Sequence, residues 1–371
     1  MPRNSISLGK FFNIPIGLDY SWFLVFVLMT WTLAVNYFPS AIQGLATWGY
    51  VFLGAISAIL LFGSVLLHEL GHSLVALRYR IPVKSITLFI FGGVAQIGAE
   101  PPTASAEFWI ALAGPVVSFA LAGLFGLAQI AFSATTPLMV IARYLFYING
   151  SLALFNLIPG FPLDGGRIFR AILWGVSGHY QQATRIAAQS GRAIAVIFIL
   201  VGVWGALNGN LSSLWFAFIG WFLLNAATLE LEKQKMHDLL IGHTAEQAMA
   251  RNYSLIPTYL TLQDVTDRQV FGLGKRALLV EENGKIVGLL NPQDVQHIPN
   301  ALRPLTTVDK IMLPIRQVNT LSPETDLWEA LTLLGKDGLI QLPVIAGDRI
   351  LGVINRESIL GFIRGLKEAH S

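Results

Sequence analysis

Two histidines four residues apart frame a glutamate in the run His68-Glu69-Leu70-Gly71-His72. On a helix, positions i and i+4 share a face, so both imidazoles can converge on one divalent metal ion. Glu69, beside them, is placed to take a proton from water and pass it to a leaving amine. The chain has no cysteine, which excludes disulfides and thiolate ligands and leaves His and carboxylate groups for a zinc ion. The stretch before the motif, Val51 to Leu67, holds no ionisable side chain. Ionisable groups at membrane depth are costly and mark functional sites by default. A catalytic zinc also needs a third protein ligand and an open position. His179 in a polar stretch, and His237, His243, His297 and His370 in the hydrophilic C-terminal part, are poor candidates. Asp164 suits the role better. It ends the run Asn156-Leu-Ile-Pro-Gly-Phe-Pro-Leu-Asp164, followed by Gly165-Gly166, and broken backbone of this kind is tolerated at membrane depth where it lines a cavity. From the residues alone three readings of Asp164 stay open: metal ligand, helix N-cap, or partner of Arg167.

The elements that must carry these groups follow from composition. The chain is 54% apolar and 13% charged, against about a quarter charged in soluble domains. Residues 1–230 hold 10 Lys/Arg and 6 Asp/Glu, whereas 231–371 hold 15 and 16. The first part is therefore read as a membrane region and the second as a water-solvated one. Apolar segments near 17–37, 49–70, 107–133, 137–158, 191–208 and 211–229 are long enough to cross about 30 Å of hydrocarbon. Six spans is the count adopted; Gly, Pro and Asn in the third and fourth leave four or five as alternatives. The first segment lacks a small-residue cleavage site, which argues against a signal peptide. The short connections near 133–137 and 208–211 imply antiparallel helix hairpins.

Basic residues cluster at Arg3 and Lys10, at Arg78, Arg80 and Lys84, at Arg167, Arg170 and Arg185, and at Lys233 and Lys235. The connections 38–48, 134–136 and 209–211 carry no charge. By the positive-inside rule both termini, with the second and fourth connections, face the cytoplasm of a cell membrane. The net charge of +3 is scattered between apolar runs, a pattern of membrane orientation and not of nucleic-acid binding. Residues Val83 to Ile97 read as a strand or hairpin with a turn at Gly92-Gly93. Lipid excludes open strand edges, so this segment should pack on protein or lie at the interface.

Taken together, His-Glu-Leu-Gly-His in an early span and Asn-Leu-Ile-Pro-Gly-Phe-Pro-Leu-Asp-Gly-Gly-Arg in a later one resemble the site-2 protease family of intramembrane metalloproteases. The likeness extends over most of residues 8–230, through the leading segment from Gly9 to Phe23, the strand Leu88 to Ala95, and Ala111 to Ser118. It implies that His68, His72 and Asp164 ligate one Zn²⁺ per chain and that Glu69 is the base. It further implies that Asn156 is a polar group near the substrate carbonyl or a helix break. The strand resembles the family's edge segment, which pairs with an unwound substrate by β-addition. Ser118 stands where many members carry Asn, and Gly114-Pro115 is expected to serve helix packing. The implied substrate is a transmembrane protein, such as an anti-sigma factor or a similar single-span regulator.

The hydrophilic part repeats itself. Lys285-Ile-Val-Gly288-Leu-Leu-Asn291-Pro-Gln-Asp294 matches Arg349-Ile-Leu-Gly352-Val-Ile-Asn355-Arg-Glu-Ser358 at an offset of 64, and Ala248-Met249 matches Ile311-Met312 at 63. An α/β pair of this repeat length resembles tandem CBS modules, here about 239–299 and 305–366. That family often binds adenine nucleotides through a Gly-h-h-Ser/Thr-x-x-Asp stretch. This chain departs from it: Asn291 and Asn355 replace the hydroxyl residue, Ser358 replaces the second Asp, and Asp294 is left as the candidate ribose contact. Adenine-nucleotide sensing and a nucleotide-free pair that dimerises or gates are both open.

The expected molecule is thus an α-helical polytopic membrane protein of about six transmembrane helices with a small β segment, plus an α/β tandem CBS module. A domain at 1–235 would carry the metalloprotease and one at 236–371 the CBS pair, which could join two chains as a homodimer. Two other classes are compatible with membrane-depth charges and broken helices: a CBS-gated transporter or channel, and a zinc-binding scaffold without proteolysis. The retained Glu69 favours chemistry.

Overall fold

The computed structural model describes residues 5–131, 136–267, 278–336, 341–347 and 349–369. It divides into two compact units, Met1–Gln234 and Lys235–Ser371. In the first unit β1 (Ser5–Phe11) and β2 (Ile14–Asp19) form a hairpin. Its turn residues Phe12 and Asn13 both have positive φ, 48° and 64°, the conformation that matches the right-handed twist of a two-residue hairpin. Ile14, Ile16 and Leu18 alternate inward and are buried. Asp19 caps α1 (Tyr20–Thr32), accepting from the Ser21 amide at 2.9 Å and its hydroxyl at 2.6 Å. Those two bonds hold the Asp19 carboxyl below its usual pKa. The Ser21 oxygen in turn accepts from the Ile90 amide at 3.2 Å, fixing the next strand to α1.

A π turn, Leu33–Tyr37, and the short α2 (Phe38–Ala41) complete the first crossing. Then α3 runs over Thr47–Arg78, about 48 Å at 1.5 Å per residue, so it overreaches the hydrocarbon and carries residues 68–72 toward one end. The strands β3 (Val83–Phe89) and β4 (Gly92–Ile97) follow as a hairpin. Because β2 pairs in parallel with β3, through Ile16 opposite Ile86 and Leu18 opposite Leu88, the sheet has the order β1-β2-β3-β4. The expected hairpin is therefore half of a four-stranded sheet, with β4 at its edge. Ile86 and Leu88 are buried on protein, against Leu70, Phe62 and Leu66 of α3.

The remaining membrane helices are α4 (Ala104–Ala131), α5 (Pro137–Asn156), α7 (Tyr180–Leu207) and α8 (Leu214–Leu240), with the shorter amphipathic α6 (Asp164–Ser177) between α5 and α7. Among the described residues six helical segments are long and apolar enough to cross a membrane: Tyr20–Ala41, Thr47–Arg78, Ala104–Ala131, Pro137–Asn156, Tyr180–Leu207 and Leu211–Leu240. The fifth begins earlier than its apolar run implied, so Arg185 lies on a helix and not in a connection. The connection expected at 133–137 falls largely on residues outside the described set.

The second unit is built twice over. Its first half comprises α9 (Ala245–Ala248), β5 (Leu255–Pro257), α10 (Leu262–Asp267), β6 (Leu278–Glu282), β7 (Lys285–Leu290) and α11 (Pro292–Gln296). The second comprises β8 (Leu313–Pro314), α12 (Leu327–Lys336), β9 (Gln341–Ala346), β10 (Arg349–Asn355) and α13 (Arg356–Ala369). Residues 268–277 and 337–340, within the two expected repeats, lie outside the described residues. Corresponding positions make corresponding pairings across the halves. Leu313 of β8 pairs with Leu289 of β7, and Ala250 bridges Val353 of β10. Thr244 bridges Asp326, and Thr261 bridges Thr307. Gly288 and Gly352 make these crossings possible: a Cβ on Gly288 would meet Met312 Sδ at 2.7 Å, and one on Gly352 would meet Ala250 O at 2.8 Å. Each half thus completes the sheet of the other, as a pseudo-two-fold pair would. Leu279, Leu289, Val318 and Val353 form a buried cluster drawn from both halves.

Candidate metal centre

His68 and His72 project from one face of α3 and are both buried. Asp164 is the first residue of α6, directly after the Pro- and Gly-broken run. It does not cap that helix, since Leu163 occupies the N-cap position. Its Oδ2 instead lies 3.1 Å from His68 Nε2 and 3.2 Å from His72 Nε2, and the two Nε2 atoms are 3.2 Å apart. The three ligand atoms make a nearly equilateral triangle. Four-coordinate zinc with bonds of about 2.0–2.1 Å sets neighbouring ligand atoms about 3.3 Å apart, so the triangle has the right edge. The start of α6 also suits a carboxylate, because the helix macrodipole is positive there.

The other ring nitrogens decide the protonation. His72 Nδ1 lies 2.7 Å from the carbonyl of Ile110. A carbonyl only accepts, so Nδ1 carries a proton, and in the neutral imidazole Nε2 is then the free ligand atom. His68 Nδ1 is 2.8 Å from Ser118 Oγ, a hydroxyl able to play either part. In that tautomer His72 Nε2 turns its lone pair toward the other imidazole nitrogen and the carboxylate oxygen, an arrangement that suits a cation between them. The donor set therefore fits zinc: two imidazoles and one carboxylate, each imidazole held from behind, as metal-binding histidines are. Among the described residues, the group of His, Asp or Glu residues able to hold a metal is this one.

Helix α4 supplies the frame. Its buried stripe runs Glu107, Ile110, Gly114, Ser118, spaced to fall on one face. Ile110 and Ser118 hold the two imidazoles, and Gly114 lies between them. A Cβ at Gly114 would overlap both Nε2 atoms, so this glycine clears space for the centre itself, beyond the helix packing expected of it. Pro115, inside the helix, cannot donate to the preceding turn and loosens it at this level.

Glu69 sits on the neighbouring face of α3, partly buried. Its Oε2 accepts from the Ala95 amide of β4 at 3.2 Å. The Glu69 carboxylate is thus tied to the edge strand, with Gly93 packed against its side chain. Asn156 is the last residue of α5, at the start of the broken run; among the described residues its side chain makes no hydrogen bond to His68, Glu69, His72 or Asp164. In the second unit Asp294 accepts from Asn291 Nδ2 at 3.1 Å. Asn355 and Ser358 make the corresponding exchange, with the Ser358 amide donating to Asn355 Oδ1 at 2.8 Å and the Asn355 amide donating to Ser358 Oγ at 3.1 Å.

Sequence reasoning named the three residues that the structure brings together but missed what surrounds them: the Ile110 carbonyl, the clearance at Gly114, the Ala95 amide and a buried ion pair between Glu107 and Arg170. Ser118 and Gly114 were marked through the family resemblance, the first for standing where many members carry Asn and the second for helix packing. A further buried contact, Asn149 Nδ2 donating to Ser64 Oγ at 3.2 Å, joins α5 to α3 one turn before His68.

Comparison with known proteins gives the family. The model of peptidase family M50 matches residues 56–137 and 121–198, and that of the CBS domain matches residues 308–365. A protein of Synechocystis sp. assigned as a zinc metalloprotease is 36% identical over 366 residues, 96% of this chain and 95% of the relative. The protein Rip3 of Mycobacterium tuberculosis, assigned likewise, is 35% identical over 369 residues, 97% of this chain and 93% of its own length. The solved Site-2 Protease from Methanocaldococcus jannaschii is 35% identical, with 61% of this chain and 94% of that chain covered and a TM-score of 0.44.

Proposed function

The chain belongs to peptidase family M50, the site-2 proteases, and from that premise we propose how its own residues carry out the family's reaction. It is an intramembrane zinc metalloprotease with a CBS region toward its C-terminus, and its substrates are transmembrane proteins. His68, His72 and Asp164 would hold one zinc ion. When bound, zinc supplies Lewis acidity toward a peptide carbonyl and lowers the pKa of water. The chain's own part is positional and acid–base. Ile110 and Ser118 orient the imidazoles, the start of α6 favours the Asp164 carboxylate, and Glu69 moves the proton from attacking water to the leaving amine.

An α-helix hides its amides, so the substrate must reach this site extended. The free edge of β4 beside Glu69 is where it would add as a strand. Asn156, at the mouth of the broken run, is assigned a polar role near the substrate carbonyl. The observation that carries the reading is the convergence of two imidazole nitrogens and one carboxylate oxygen within 3.2 Å, with a carboxylate base bound to an open strand edge. Cleavage of a reconstituted single-span substrate by wild type and Glu69→Gln protein, with zinc quantified in both, tests it. Zinc should be retained and cleavage should fall by about 10²–10⁴-fold, the usual worth of a general base. Equal cleavage by the two proteins would overturn the assignment of Glu69.

We assign residues 1–235 to the protease and 236–371 to a tandem CBS pair, with both termini cytoplasmic on the strength of the loop charges. An anti-sigma factor or similar single-span regulator fits the substrate class. Asn291, Asp294, Asn355 and Ser358 bond to one another at helix starts. That favours a pair which modulates the protease by association, including homodimerisation, over one that binds adenine nucleotide.

A further inference from the structure

Arg170 is the one buried charge of α6, 6% exposed, and its partner Glu107 of α4 is fully buried. The guanidinium donates twice to one carboxylate oxygen, from Nε at 2.8 Å and from a terminal nitrogen. It also reaches Thr184 of α7 at 3.5 Å. Its Cζ lies 4.8 Å from the centroid of the Phe161 ring and 4.9 Å from that of the Tyr180 ring. Phe161 belongs to the loop that delivers Asp164, and Tyr180 opens α7. Arg170 therefore ties together the helix that begins with Asp164, the loop before it, and the helices on either side.

The place of Glu107 on α4 gives this pair its meaning. Glu107 heads the same buried stripe that holds His72 through Ile110 and His68 through Ser118. One face of one helix thus grips both imidazoles directly and the carboxylate ligand's helix through an ion pair. A surface pair would have no such reach, and two charges are costly to bury unless their geometry is well satisfied. Arginine suits the task because its planar fork bonds and stacks at once, which lysine cannot do.

We infer that Glu107 and Arg170 are positioning residues, which set Asp164 against the histidine pair by locking α6 to α4. The inference rests on the reading of His68, His72 and Asp164 as the zinc ligands. Neither residue touches the metal group: an effect carried by α6 passes through Asp164, whereas one carried by α4 passes through Ile110 and Ser118 to the histidines. Dependence on Asp164 therefore separates positioning through α6 from general support of the fold.

Full-length protein in nanodiscs carries the test. Zinc affinity is measured by chelator competition for Glu107→Gln and Arg170→Lys, each in the wild-type and Asp164→Ala backgrounds. The visible spectrum of the cobalt-substituted protein reports coordination in the same samples. In the wild-type background each variant should weaken zinc by about 10–100-fold, as loss of outer support does elsewhere, and shift the cobalt spectrum toward that of Asp164→Ala. In the Asp164→Ala background neither should weaken it further. Unchanged affinity in the wild-type background, or an equal loss in both backgrounds, would overturn the inference. Wild-type affinity in Asp164→Ala alone would instead remove Asp164 from the ligand set, a separate failure. The double change Glu107→Leu with Arg170→Met leaves no buried charge, so it guards against a variant that fails to fold. It should fold, yet bind zinc as weakly as the single changes, and wild-type affinity in this protein would also overturn the inference.

Discussion

Gly114 has no side chain, and the metal centre occupies the room this leaves. A methyl group there would overlap both imidazole nitrogens, so Gly114→Ala should strip zinc from a protein that still assembles in the membrane. Metal analysis of monodisperse protein checks this, and a full complement of zinc would refute it. Ser118→Ala removes the partner 2.8 Å from His68 Nδ1 and should weaken zinc by about 10–100-fold; chelator competition measures it. At this scale the sequence was most informative where chemistry is local. His68, Glu69 and His72 sit within five residues, and the helix period alone puts the two histidines together. Asp164 could be proposed from the sequence, and only the coordinates bring its carboxylate to the two histidines. The supports were illegible for a physical reason: Ile110 acts through its carbonyl, which every residue has, and Gly114 acts through an absence. Arg170 looked like one more loop cation, and its burial against Glu107 has no signature in a single sequence.

At the scale of elements, β4 presents backbone to the base. The Ala95 amide donates to Glu69 and not to β3, so that face of the strand is turned toward the chemistry. Ala95→Pro removes this one amide, the donor to Glu69. It should abolish cleavage of the membrane substrate while zinc stays at wild-type content; cleavage at the wild-type rate would show that the edge takes no part. The hairpin at Val83 to Ile97 was legible from its β-branched residues and Gly92-Gly93. The partner hairpin β1–β2 was not, because its Phe12-Asn13 turn lacks the usual glycine and its second strand merges into an apolar span. Helix α6 was half legible: Asp164 could be read as its N-cap, whereas α6 begins with Asp164 and packs Gly165 and Gly166 against the preceding loop.

At the scale of the molecule, a chain with no cysteine is ready for single-cysteine labelling. A cysteine placed at Gly209 should react with an impermeant thiol reagent in intact cells, and one at Lys235 only after lysis. The reverse pattern would invert the orientation inferred from loop charge. Titration of the whole protein with AMP and ATP should give no heat at high micromolar ligand, because the polar residues at the helix starts already bond to each other; a saturable heat would restore nucleotide sensing.

The reciprocal pairing in the second unit also fixes when it can form. Ala250 waits for Val353, roughly 100 residues later in synthesis. At about 5–20 residues per second this is about 5–20 s on the ribosome. Through that interval the six spans, with His68, His72 and Asp164 among or between them, have already been made, while the first half of the second unit still lacks the strand that β10 supplies to it. The membrane unit is thus synthesised in full before the second unit can complete its pairings.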